Sequence, residues 1–327
     1  MSIPQPVTRE DRAGAKRSRK NQTSLRTRLA LGTALATIAF GYAGRTAYAG
    51  VCTGSGGVFS CSGSLNAGSD VTQVKSGSPL SVTTIAGFGI DTYVSGGRAL
   101  SLTGTGGLSF TDNNASLIKA ETEGIRATNN SSGNLSITST GAVIGDIGRG
   151  IYARNNTGTG NLTVNAASVT AGSRALEARN YGTGATTIVA TGTVTASAYR
   201  GIAARGYASG TDVEITAVNA YGDTQGVYAR NSGSGFISVT TTGTVSGNNS
   251  SGIFVHNENT GVSGATTVNA HNVNSNSLSA IEVDHYGAAA LSVTVDGTVT
   301  GGGIGEGMRV TNSGSGATSI TLNSGAS

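Results

Sequence analysis

Gly150-Ile151-Tyr152-Ala153-Arg154-Asn155 and Gly226-Val227-Tyr228-Ala229-Arg230-Asn231 are two copies of one six-residue unit. Further copies begin at Gly124, Ala175, Gly201, Gly252, Ala280 and Gly307, which sets a nearly constant interval of about 26 residues. A worn copy, Ala99-Leu100-Ser101-Leu102, begins one such interval before the first. A period this narrow, held over eight copies, is the signature of stacked structural units.

Within each copy the second and fourth positions are apolar, as in Ile151/Ala153, Leu176/Ala178, Ile202/Ala204 and Ile281/Val283, while the third and fifth vary and are mostly polar. That alternation has the period of a β-strand. A second alternating segment follows, such as Leu135-Ser136-Ile137, Leu162-Thr163-Val164 or Leu291-Ser292-Val293. A lone apolar residue then recurs at Val143, Val169, Val194, Val218, Val245, Val273 and Val299, marking a third short strand. The expected fold is all-β: a right-handed parallel β-helix of about 26 residues and three short strands per coil. In this register Ile202→Asp buries an unpaired charge, whereas position three faces water and Ala203→Asp is nearly silent. Asn at position six (Asn129, Asn155, Asn180, Asn231, Asn257, Asn312) reads as a structural ladder. Asn tolerates left-handed backbone and can hydrogen-bond the next Asn along the stack.

Composition agrees. The 327 residues include 52 Gly, 3 Pro, no Trp and only 12% charged side chains, which suits many thin core layers and excludes a coiled coil. Charge is unevenly placed. Residues 1–49 hold nine Lys/Arg against Glu10 and Asp11, leaving twelve bases against fifteen acids in the remainder. The basic character therefore belongs to the leader, and nucleic acid is not an expected partner.

That leader has a basic stretch to Arg28, an apolar run from Leu29 to Phe40 and then Ala47-Tyr48-Ala49 before Gly50, the order of an export signal cleaved between Ala49 and Gly50. The apolar run is too short for a membrane-spanning helix. Cys52 and Cys61, the only cysteines, follow directly, and in an oxidising compartment they are expected to form a disulfide. The expected organisation is an extended signal peptide over 1–49, an N-terminal cap with the disulfide over 50–75, and β-helix repeats over 76–327, open at the C-terminal end.

The leader ending Ala47-Tyr48-Ala49, the mature start Cys52-Thr53-Gly54-Ser55-Gly56-Gly57 with Ser60-Cys61-Ser62-Gly63, and the Gly-Ile-x-Ala-Arg-Asn coils together give a chain that resembles the passenger domain of an adhesin-like bacterial autotransporter. The resemblance implies a surface-exposed or secreted protein, reached through the periplasm and outer membrane, that serves as an adhesin or structural stalk. It also implies a partner, the outer-membrane translocator β-barrel. The sequence stops at Ser327 within a repeat, so that barrel is expected on a missing C-terminal part or on a separate chain.

For binding, position five places Arg154, Arg179, Arg205 and Arg230 in consecutive coils, with Tyr152 and Tyr228 at position three and Glu177 as a partial counter-charge. Rung spacing makes this a basic stripe about 15 Å long, suited to an anionic host glycan or surface protein, or else a solvated face. For catalysis, the alternative is a β-helix lyase or hydrolase of acidic glycans. It has one local candidate, His256 with Asp284 and Glu282, which stacking would bring into contact as acid/base partners or as a plain ion pair. No triad, P-loop or metal-ligand spacing is present, and no cofactor is called for.

Overall fold

The computed structural model describes residues 50–327 except 94, 261–263, 324, 325 and 327. The expected export leader over residues 1–49, including Ala49, lies outside the described residues. Every element among them is a β-strand, and no helix is long and apolar enough to cross a membrane.

The eight six-residue units, the worn copy and one strand before it form one parallel sheet of ten strands, one per coil. It runs from Gln73–Gly77 and Arg98–Gly104 through Glu123–Asn129, Arg149–Asn155, Leu176–Asn180, Ile202–Gly206, Val227–Asn231, Ile253–Asn257 and Ile281–His285 to Met308–Asn312. Register is kept without slippage, since Ile151 pairs with Leu176, Leu176 with Ile202 and Ile202 with Val227. Apolar residues two apart and a repeat of constant length both fix this pairing, because a slip of one residue would turn the whole apolar set outward.

The second and third strands of each coil build a seventeen-stranded sheet. In four coils they run on as one bent strand, such as Leu135–Gly145 or Leu162–Ala171, with a register shift between Ser139 and Ala142 or between Ala166 and Val169. From Ile237 onward they separate, as in Ile237–Thr241 and Thr244–Gly247. The third-strand column contains Val143, Val169, Val194, Val245 and Val273 as expected, but not Val218. Ala220 pairs with Val194 below and Val245 above and fills the inward slot, while Val218 falls in the bend and is half-buried.

The core is a set of columns. Ile125, Ile151, Leu176, Ile202, Val227, Ile253 and Ile281 stack on one wall, and Phe110, Ile137, Val164, Ile188, Ile215 and Val239 face them from the other, all essentially inaccessible. Each such side chain contributes about 1.5–3 kcal/mol only when rungs on both sides cover it. In the last described rung Ile320 and Leu322 are 50% and 55% exposed. Gly at position one admits a close approach: a Cβ on Gly150 would lie 2.2 Å from Cγ1 of Val169.

The Asn ladder works differently from expectation. None of these residues has left-handed backbone; Ala115 is the one non-glycine with positive φ among the described residues. Their amides do not bond one another. Each reaches across its own turn, Asn129 Nδ2 donating to the Gly133 carbonyl at 2.8 Å, Asn180 to Gly184 at 2.8 Å and Asn231 to Gly235 at 3.0 Å. An inward-pointing amide is buried and must find an acceptor nearby, most often the turn carbonyl four residues on, though Asn155 uses Gly160, Asn257 uses Gly264 and Asn231 also donates to Thr211 of the preceding coil.

At the N-terminal end, Val51–Ser55 and Val58–Ser62 form an antiparallel hairpin in which Cys52 and Cys61 are directly opposed and joined by a disulfide. The second hairpin strand then pairs in parallel with Leu80–Thr84, so the hairpin closes the first rung. Covering that edge removes a row of unpaired backbone groups from solvent.

Candidate functional site

The outer face of the ten-stranded sheet is organised as three adjoining columns. Arg154, Arg179, Arg205 and Arg230 pair rung to rung at position five, followed by His256. Tyr152, Glu177, Ala203, Tyr228 and Phe254 form the middle column at position three. Just before the six-residue unit a further column stacks Arg98, Glu123, Arg149, Arg174, Arg200 and Gln225. This arginine column was not anticipated, although its signal was available: Arg149-Gly150, Arg174-Ala175 and Arg200-Gly201 repeat at the same offset.

In the coils from Tyr152 to Tyr228 position three does not face water, although Arg126 and Phe254 on either side are half-buried and Arg309 is exposed. Tyr152 is 4% exposed, Tyr228 8%, and Glu177 and Ala203 are fully covered. The residues point away from the apolar core, but long arginine stems from the columns on either side lie over them, keeping only the charged ends wet. Over the Tyr152 ring lie the guanidinium groups of Arg149 at 4.6 Å, Arg126 at 5.2 Å and Arg179 at 5.8 Å. Arg200 at 4.0 Å and Arg205 at 5.1 Å lie against Tyr228, and Arg154 at 4.7 Å against Tyr181. These contacts fix the cations by attraction to the ring faces. The expectation that Ala203→Asp is nearly silent is corrected accordingly.

Two carboxylates are embedded among the arginines. Glu123 meets Arg98 at 2.5 Å, Arg149 at 2.9 Å and Arg126 at 3.4 Å. Glu177 meets Arg179 at 2.5 Å, Arg149 at 2.9 Å and Arg174 at 3.9 Å. Burial pushes the Glu177 carboxyl up, but the Arg179 hydrogen bond and the charges of Arg179, Arg174 and Arg149 outweigh it and hold the group below the ordinary carboxylate range. Glu123 is lowered by the same balance, with Arg98, Arg126 and Arg149 opposing burial. Arg179 is raised: burial opposes its charge, and the Glu177 hydrogen bond more than offsets that. Arg230 pairs with Glu258 at 2.5 Å. Among the described residues Arg154, Arg200 and Arg205 form no ion pair with a carboxylate. The stripe is thus partly self-neutralised, and its unbalanced charge lies toward the middle coils.

His256 follows Arg230 in its column and stacks on Phe254 at 6.0 Å. Its Nε2 lies 3.2 Å from Glu258 and its Nδ1 3.4 Å from Asp284. The anticipated His256–Asp284 contact exists, but Nδ1 makes no hydrogen bond. Glu282 is engaged elsewhere, accepting from Arg309 and from the Ser251 hydroxyl. Among the described residues no group of three or more His, Cys, Asp or Glu side chains is arranged to hold a metal ion.

These features define a class: a parallel β-solenoid of ten coils with one basic, aromatic-lined face. No family model matches the chain, and comparison with curated proteins and with solved structures finds no match.

Proposed function

We propose that the chain is the solenoid of an adhesin-like autotransporter passenger, exported by its leader and displayed at the cell surface. It serves as an adhesin or structural stalk that contacts host surfaces or acidic glycans without catalysing a reaction. An outer-membrane translocator β-barrel, on the same or another chain, is the partner such a passenger requires. The observation supporting the binding role is the unbroken column of Arg154, Arg179, Arg205 and Arg230, in which Tyr181, Tyr152 and Tyr228 hold the first three in place and Glu258 holds Arg230. Adjacent guanidinium groups raise the local positive potential on a mature chain that is net negative, and their planar forks match carboxylate and sulfate oxygens.

The test uses the exported full chain, with adhesion to host cells and to immobilised sulfated and uronic-acid glycans as readout. The expected result is a mature N-terminus at Gly50 and glycan binding that weakens as salt rises. Replacing all four arginines by Gln should remove that binding. A folded variant that adheres like the parent would exclude the stripe as the binding surface.

A further inference from the structure

The two embedded carboxylates reveal what the face lacks. Glu177 occupies the middle column and draws in arginines from both flanking columns, Arg149 and Arg174 on one side and Arg179 on the other. One rung further along, the flanks repeat: Arg200 stacks on Arg174 and Arg205 on Arg179. The middle position, however, is Ala203, which pairs directly with Glu177. The cations of a carboxylate cluster are present, and the carboxylate is not.

No carboxylate satisfies the donors around this position, and two of their Nε groups are unmet. Arg200 spends its Nε on the Gln225 side chain at 2.8 Å, a neutral acceptor. The Nε groups of Arg174 and Arg205 are buried and make no hydrogen bond, whereas those of Arg149 and Arg179 each donate to Glu177 at 2.9 Å. Burial, followed by the charge of Arg205, depresses the Arg200 guanidinium below its ordinary value, and the charge of Glu177 in the preceding rung offsets this only in part. Tyr228 lies against both Arg200 and Arg205 and keeps them from swinging away, so the positive charge is preorganised.

We propose that Arg200, Arg205 and Arg174 form a subsite above Ala203 for one anionic group of an acidic glycan, a sulfate ester or a carboxylate, which takes the place that Glu177 fills in the preceding rung. This deepens the adhesive function proposed above and depends on it. Bidentate guanidinium contacts give such a group directional recognition, and neighbouring rungs with internal carboxylates contribute less, so the face has one preferred anchoring point.

The decisive variant is Ala203→Glu. It supplies the missing carboxylate from within, as Glu177 does one coil earlier. It is expected to melt no lower than the parent while losing about tenfold or more in affinity for a sulfated oligosaccharide or an unsulfated uronic-acid oligosaccharide. The two probes identify sulfate or carboxylate as the captured group. Arg200→Gln/Arg205→Gln should show a similar loss and decides the matter if Ala203→Glu does not fold. Arg309→Gln, in the middle column but already paired with Glu282, should bind like the parent. If the parent binds a probe and folded Ala203→Glu binds it equally well, the subsite is refuted while the adhesive role of the face stands. If the parent binds neither probe, both proposals fall.

Discussion

Replacing Glu177 by Gln keeps the shape of a fully buried side chain and removes the charge on which three arginines converge. Removing one partner of a buried ion pair costs about 3–5 kcal/mol. Here the arginine side chains remain 21–28% exposed, so water recovers part of the loss, and about 2–4 kcal/mol is expected. At roughly 2 °C per kcal/mol for a chain of this size, Tm should fall by about 4–8 °C at neutral pH. The loss should depend on acidity. Burial raises the Glu177 pKa, but Arg179, Arg174 and Arg149 lower it further, to below the ordinary 4.5. On acidification the unfolded chain binds this proton first, so the stabilisation is complete above about pH 4.5 and disappears as pH falls through the lower folded-state value. Parent and variant melting curves, recorded by circular dichroism over a pH series, should therefore converge in acid. Glu214→Gln is the control, since Glu214 joins no ion pair among the described residues; a shift within about 0.5 kcal/mol is expected. A Glu177→Gln variant that melts within about 1 °C of the parent at neutral pH would refute the view that this cluster holds adjoining coils together.

Three other outcomes are expected. Ile202→Asp places a charge at a position with no accessible surface and should cost more than about 4 kcal/mol, visible as protease sensitivity concentrated in the central coils. His285 is the Asn-ladder member of its coil: its Nε2–H donates to the Ala289 carbonyl four residues on, and its Nδ1 accepts from the Thr266 hydroxyl. His285→Leu should lose about 1–3 kcal/mol by orphaning both groups, and His285→Asn markedly less, as compared by thermal melts. Reducing the Cys52–Cys61 bond should cost about 2–3 kcal/mol and raise hydrogen exchange only in the first coils, because each coil touches only its neighbours; uniform loosening along the solenoid would contradict this.

The coil, its length and the inward columns of its first two strands were legible in the sequence, because a parallel solenoid copies one local geometry at a nearly constant period. Ile151, Leu176 and Ile202 announce by position alone that they stack. The alignment of Arg154, Arg179, Arg205 and Arg230 followed from the same period. Val218 was misassigned because the bend between the second and third strands varies in length, and a lone apolar residue carries no alternation to fix its register; Ala220 takes its slot. Even the i+4 bonds of the Asn ladder were local enough to have been found. The covering of position three was not. Whether Tyr152 or Ala203 meets water depends on which way arginine stems from two flanking columns and adjacent rungs lie, and long side chains choose among rotamers according to partners a whole coil away along the chain. Glu177 draws Arg149 from one coil and Arg179 from its own, so its charge balance exists only once the coils are stacked. Alternation tells which side of a strand a residue leaves from; only neighbours brought in by folding settle what lies above it.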